Sequence, residues 1–279
     1  MQGAVDPGPA AVTRTEWIVD DDQELELPGG GTTRVVRVGD TVRRPFRAWS
    51  PAVHRLLETV SARGFGGAPV PLGIDGHGRE ILSFLPGEVG NYPLSAEMRS
   101  RTALVSAAQL LRRYHDATVD LAADRTTGFR LEPLEPVEVV CHSDFAPYNV
   151  VFRGGTAVAV IDFDYARPGP RAWDLAYALY RFAPLSVAFG AEDEFSALGS
   201  QVRRLRAFLD AYGCDRRERR AALDLVVPRL RALIALMTGA AADGDENFAR
   251  HIEDGHVGIY VRDIAYIREN ERVWLGAVG

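Results

Sequence analysis

His142-Ser143-Asp144-Phe145-Ala146-Pro147-Tyr148-Asn149 leads through Val150-Val151-Phe152 to Arg153-Gly154-Gly155-Thr156, and then to Ile161-Asp162-Phe163-Asp164. The pattern is H-x-D-x-x-x-x-N, a two-glycine turn, then D-F-D. Val137 to Cys141 ahead of it is a short β-like run, and Pro147 with its polar neighbours makes the first part a loop. Asn149–Phe152 and Ala157–Ile161, joined through Gly154-Gly155, predict a β-hairpin, because a tight two-residue turn needs positive φ at both positions. A loop held between strands is a common place to present reactive side chains. The hairpin folds the chain back, so Asn149 and Asp162 converge despite their separation in sequence.

These groups suit phosphoryl transfer. A hydroxyl nucleophile needs an anion to orient it and accept its proton, and Asp144 supplies one. A triphosphate needs Mg²⁺, a hard cation that takes oxygen ligands; Asn149 and Asp162 offer an amide oxygen and a carboxylate. His142 is expected to brace the loop through hydrogen bonds. Loop aspartate as base, with loop asparagine and a second aspartate on metal, is the kinase arrangement.

Outward from this segment, the first part of the chain predicts a small antiparallel sheet with one helix. Glu24–Leu27, Arg34–Val38 and Thr41–Arg44 have strand composition. Ser50-Pro51 predicts a helix start, with Ser50 as cap, and Leu56, Leu57 and Val60 form its apolar face. Ile81–Leu85 predicts another strand, and Pro86-Gly87 is the best boundary. Helices dominate beyond it: Ala103–Tyr114, Trp173–Phe182, Gln201–Tyr212, and two interrupted stretches, Arg217–Gly239 and Asn247–Asn270. The expected organisation is a flexible tail over 1–13, a sheet lobe over 14–86 and a helical lobe over 87–279.

Composition narrows the class. The chain has 279 residues, 47% of them hydrophobic, so a sizeable core is available and wholesale disorder is excluded. Its formal net charge of −6 argues against a nucleic-acid partner, which would meet a basic surface. No apolar run was expected to approach the ~20 residues of a membrane span, and nothing at the N-terminus reads as a signal peptide. Cys141 and Cys214 form no framework or metal spacing, so a reducing cytoplasm is the expected setting. All 32 Lys and Arg residues are arginine. His251 and His256 would lie apart on one helix and make no metal pair.

In order and spacing, H-x-D-x-x-x-x-N, Ile161-Asp162-Phe163-Asp164 and Trp173-Asp174-Leu175-Ala176 resemble the aminoglycoside phosphotransferase family, the small-molecule branch of the protein-kinase-like fold. Leu110 to Asp116 and Phe84-Leu85-Pro86-Gly87 are similar to the family more weakly. The resemblance implies an α+β, two-lobed fold, a small antiparallel-sheet lobe over a mainly helical one, with ATP or GTP and Mg²⁺ in the cleft. It implies Asp144 as catalytic base, Asn149 and Asp162 as metal ligands, and Asp174, with His142, as support of the catalytic loop. Gly29, Gly30, Gly31 and Thr32 fall where the family covers the phosphates, and Ser83, Phe84 and Leu85 where it binds adenine. The family's phosphate-binding lysine has no lysine to match; Arg44 is the better substitute and Arg43 the second. Glu58 and His54 are both candidates for its helix partner. Ser143 stands where the family has glycine, and Asp164 either adds a metal contact or ends the strand.

The implied acceptor is a small-molecule hydroxyl, an aminoglycoside-like antibiotic among the options. Acidic clusters at Glu192-Asp193-Glu194, Asp243, Asp245-Glu246 and Glu253-Asp254 tilt the expectation toward a cationic or polar acceptor. Trp173, Tyr177, Tyr180 and Tyr260 either line a pocket or pack the core. Two rival readings are a metabolic kinase for a sugar, amino alcohol or amino acid, and a nucleotide-binding regulatory module with impaired catalysis. The oligomeric state is left open.

Overall fold

The computed structural model describes residues 24–27, 35–123, 127–187, 195 and 197–278. Strands β1 (Leu25–Glu26), β2 (Val36–Val38) and β3 (Thr41–Pro45) are followed by helix α1 (Ser50–Ala62) and strands β4 (Pro71–Ile74) and β5 (Arg79–Ser83). They form one antiparallel sheet in the order β1-β2-β3-β5-β4. Alternation fixes its faces: Val36 and Val38 are buried and Arg37 between them is not. Helix α1 presents Val53, Leu56, Leu57 and Val60 on one stripe, each at most 1% exposed. Its start differs from expectation by one residue. Trp49 takes the cap position, and Ser50 Oγ accepts the Arg47 amide at 2.9 Å instead. Strand β4 was not anticipated, because Pro71 and Gly73 obscure its pattern and its pairing carries a register shift.

The chain then runs through β6 (Glu88–Val89), α2 (Ala96–Arg99), α3 (Arg101–Ala123), β7 (Val139–Cys141), a 3-10 turn at Pro147–Asn149, β8 (Val150–Arg153), β9 (Thr156–Val160) and β10 (Arg167–Gly169). Helices α4 (Arg171–Phe182), α5 (Leu198–Tyr212), α6 (Arg216–Asp224), α7 (Val226–Ala242), α8 (Glu246–Glu253) and α9 (His256–Val278) complete it. Strands β8 and β9 form the expected hairpin, with φ of 53° at Gly154 and 69° at Gly155. Strand β6 joins its edge. Gly87 is required at that crossing: a Cβ there would lie 2.5 Å from Val151 Cγ1 and 2.6 Å from the Phe152 carbonyl oxygen. Helix α3 is the spine of the helical part. Small Ala103, Ala107 and Ala108 let neighbours approach, while Leu104, Leu110 and Leu111 fill the core against α5, β7 and β9.

Both long C-terminal stretches are interrupted, at Leu225 and at Asp254-Gly255. Against expectation, an 18-residue window within Arg216–Ala242 reaches a mean hydropathy of 1.5, long and apolar enough by length and composition to cross a membrane. The chain breaks within it, however, and α7 packs on α4, α8 and α9.

Candidate active site

The loop after β7 is held from beneath by one carboxylate. Asp174, in the first turn of α4 and wholly buried, accepts the backbone amides of His142 at 2.6 Å and Ser143 at 2.7 Å. It also accepts from His115 Nε2 at 3.0 Å. Burial works against its charge, but the donors from His115 and His142 win and hold it below the usual aspartate range. Ser143 adopts φ 65° and Asp162 φ 64°, left-handed conformations that a non-glycine residue keeps only when its surroundings impose them. At Ser143 the clamp is Asp174 on the amide and the Arg229 guanidinium on the carbonyl.

His142 ties loop to hairpin. Its Nδ1 accepts the Asp144 amide at 3.2 Å, so Nε2 carries the proton and donates to the Ile161 carbonyl at 2.9 Å. Asp144 itself is fixed by two donors. Tyr148 hydroxyl reaches Oδ1 and Asn149 Nδ2 reaches Oδ2, each at 2.8 Å. Burial raises its pKa, opposed by the Tyr148 hydroxyl and by Arg229. The Tyr148 hydroxyl is in turn 2.9 Å from that of Tyr177.

Asn149 and Asp162 do converge. The Ile161 amide donates to the Asn149 carbonyl at 2.9 Å, one step beyond the Val150–Val160 pair, and so places Asp162 beside Asn149. With Nδ2 engaged by Asp144, Asn149 has Oδ1 to offer. Asp162 is 48% exposed at its side chain, accepts from the Asp164 backbone and meets Arg44 at a long 3.3 Å. An amide oxygen and an accessible carboxylate fit a hard cation that keeps several waters. Among the described residues, no group of three or more His, Cys, Asp or Glu forms an ion cage.

Arg44, on β3, faces these carboxylates. Its Nη2 is 2.7 Å from Asp164, its Nη1 3.3 Å from Asp162, and its Nε 2.6 Å from Glu80. Burial disfavours its charge, but Asp164, Asp162 and Glu80 outweigh that and lock it on. Arg43 turns to the other side of the strand, toward Thr41 and Asp75. Neither helix candidate pairs directly with Arg44. Glu58 is exposed, and His54 Nε2 instead contacts Glu80 at 2.6 Å. The acid is therefore Glu80 of β5, which the antiparallel register sets opposite Arg44. Sequence reading missed it by starting that strand at Ile81, although a carboxylate two positions before buried Leu82 was the available signal.

Ser83 ends β5 and Phe84 and Leu85 follow. The Ser83 amide bonds Val70, the Phe84 amide bonds Asp40, and Arg37 stacks 3.9 Å from the Phe84 ring. Gly29, Gly30, Gly31 and Thr32 lie outside the described residues, as does Glu192-Asp193-Glu194. Asp243 and Asp245 sit at the end of α7 and the cap of α8, and Glu246, Glu253 and Asp254 are exposed. Trp173, Tyr177 and Tyr180 are at most 8% exposed and belong to the core; Tyr260 is half-buried. His251 and His256 fall on different helices, and the turn between them stacks their rings at 4.9 Å. The expectation that they lie apart is thus corrected. A surface hollow of about 610 Å³ lined by Arg63–Gly67, Arg113, Asp116, Ala117 and Val158 contains none of the loop residues.

The profile of the phosphotransferase enzyme family matches residues 129–223, which include the loop, the hairpin and α4. The trifolitoxin immunity protein of Rhizobium leguminosarum bv. trifolii is 35% identical over 219 residues, 74% of this chain and 80% of that protein. The chain belongs to the phosphotransferase enzyme family. Solved structures agree on the fold. The amicoumacin kinase hAmiN, in complex with AMP-PNP, Ca²⁺ and Ami, aligns at TM-score 0.56 and 13% identity over 84% of this chain and 88% of its own. The macrolide 2′-phosphotransferase MphH from Brachybacterium faecium aligns at 0.53 and 18% over 81% and 90%. This phosphotransferase-family protein therefore has the kinase-like architecture, sheet first and helices after.

Proposed function

We propose that the protein moves the γ-phosphoryl group of ATP or GTP, with Mg²⁺, to a hydroxyl of a small molecule. The single observation that carries this reading is Asp144, a carboxylate fixed by Tyr148 and Asn149 on a clamped loop, with Asp162 and Arg44 across the same cleft. Asp144 orients the acceptor hydroxyl and takes its proton as the new P–O bond forms. Asn149 Oδ1 and Asp162 are the groups to hold the metal. When bound, Mg²⁺ neutralises charge on the phosphate oxygens. Arg44 takes the lysine's place toward the phosphates, with Glu80 and His54 orienting it from behind. Its planar fork contacts two acceptors at once, which an ammonium does less well. Ser83, Phe84 and Leu85 are the segment to meet the base, Gly29 to Thr32 the segment to cover the phosphates, and His142 and Asp174 keep the loop in shape. The immunity relative and the antibiotic kinases of like fold support a small-molecule, antibiotic-like acceptor. They favour it over a regulatory role without turnover.

The experiment is ADP release over a panel of hydroxyl acceptors. Asp144→Asn is expected to abolish turnover while calorimetry finds AMP-PNP affinity largely intact. Undiminished turnover in that variant overturns the assignment.

A further inference from the structure

Two arginines stand against Tyr148 and Tyr177, the pair of hydroxyls that leads to Asp144, and have no carboxylate partner among the described residues. Arg181, at the end of α4, sits among three tyrosine rings, 4.7 Å from Tyr92, 5.3 Å from Tyr148 and 5.6 Å from Tyr180. Among the described residues it forms no hydrogen bond or ion pair, and its Nε is buried without a partner. Arg229, on α7, lies 4.3 Å from the Tyr177 ring and reaches the Ser143 carbonyl; its Nε is likewise buried and unpartnered. The local carboxylates are committed elsewhere. Asp263 accepts from the Tyr180 hydroxyl at 2.7 Å, Ser186 Oγ at 2.9 Å and the Val187 amide at 3.0 Å. Asp144 is held by Tyr148 and Asn149.

Arg44, by contrast, is paired with Glu80 and Asp164. Arg181 is half-buried, with its Nε enclosed and rings rather than carboxylates around it, and an incoming anion completes it. His256 lies one turn before Tyr260 on α9, its ring stacked on His251. Half-buried Tyr260, its ring 6.4 Å from that of Tyr180, and Arg181, 5.6 Å from the same Tyr180 ring, bound one space between α4 and α9.

We infer that this space is an anion subsite: the acceptor carries a carboxylate or a phosphate group that docks on Arg181, flanked by Arg229 and His256, while its hydroxyl faces Asp144. The inference rests on the reading of Asp144 as base and adds the chemical class of the acceptor.

The test follows the His256 ring by NMR in the full chain, with saturating AMP-PNP and Mg²⁺ so that added anions do not occupy the Arg44 site. Acetate stands for a carboxylate and sulfate for a phosphate ester. Either anion on Arg181 is expected to raise the His256 titration midpoint by about half a pH unit. Arg181→Met should abolish the rise. Arg181→Lys, which keeps a cation in the tyrosine cage, should retain it at higher anion concentration. Tighter saturation by sulfate assigns a phosphate-bearing acceptor, and by acetate a carboxylate-bearing one. No rise in the wild-type protein, or an equal rise in Arg181→Met, overturns the subsite. AMP-PNP binding is measured separately by calorimetry. Failure there counts against the phosphotransferase mechanism, whereas failure of the His256 response with AMP-PNP bound counts against the subsite alone.

Discussion

A carboxylate that must meet a hydroxyl in one orientation cannot be left to rotate, and Asp144 has a donor on each oxygen. Tyr148 is the donor that can be removed with least disturbance. Its hydroxyl belongs to a chain running Tyr177, Tyr148, Asp144, while its ring packs against Arg181. Tyr148→Phe keeps the ring and deletes the bond. A hydrogen bond to a charged group is worth ~1.5–3 kcal/mol, so a loss of about tenfold or more in kcat is expected, with nucleotide KM nearly unchanged. Steady-state kinetics on an active acceptor check this, and an unchanged kcat shows that the hydroxyl does not position the base. At this scale the sequence was informative where chemistry is local. Asp144, Asn149 and Asp162 belong to one contiguous motif, and a single hairpin brings them together. It was silent on Arg181, an arginine within an apolar helix that periodicity assigns to the core. Its lack of a partner follows from where Asp263 and the tyrosines pack, which no local pattern records.

Among the elements, α3, α4 and α5 meet at one polar point inside an apolar core. His115 of α3 donates to Asp174 of α4 and accepts from the Tyr212 hydroxyl of α5 at 2.6 Å. This arrangement requires a neutral imidazole, and burial keeps the His115 pKa below its usual value despite Asp174. The unfolded chain takes up a proton near the ordinary histidine pKa that the folded chain refuses. The associated stability is therefore complete above about pH 6.5 and declines as pH falls below it. Asp174, held low, contributes stability above the ordinary carboxylate range and loses it only at lower pH, as the folded pKa is passed. The melting temperature should drop by roughly 2 °C per pH unit below pH 6.5, and His115→Gln should flatten that limb. Scanning calorimetry between pH 5 and 8 decides it; an unchanged slope in the variant removes His115 from the account. Trp173-Asp174-Leu175-Ala176 pointed to this support; His115, one residue past the expected helix Ala103–Tyr114, was assigned no role. Glu80 was not legible for a different reason: its role depends on the pairing of β3 with β5, a long-range register that neither strand encodes alone.

Across the whole molecule, Arg44 joins the antiparallel sheet to the segment beyond the hairpin, through Asp162 and Asp164. The order of a sheet first and mainly helices after was readable from local pattern. What was not readable is the charge that spans them, because it is set by folding residues far apart in sequence onto one cleft. That charge has a global signature. A ligand bound to the folded state at about a hundred times its Kd adds ~2.7 kcal/mol, or roughly 5–10 °C in melting temperature for a chain of this size. AMP-PNP with Mg²⁺ should produce a shift of that order. Arg44→Ala should lose most of it, because the phosphates lose their cation and three carboxylates, Glu80, Asp162 and Asp164, are left facing them. Arg44→Lys should recover part, since the charge returns without the fork. Asp144→Asn should keep the shift, as the proposed mechanism gives Asp144 to the acceptor and not to the triphosphate. Thermal unfolding of the four proteins with and without nucleotide distinguishes these outcomes. A full shift in Arg44→Ala means that the triphosphate is held elsewhere than between Arg44 and Asp162.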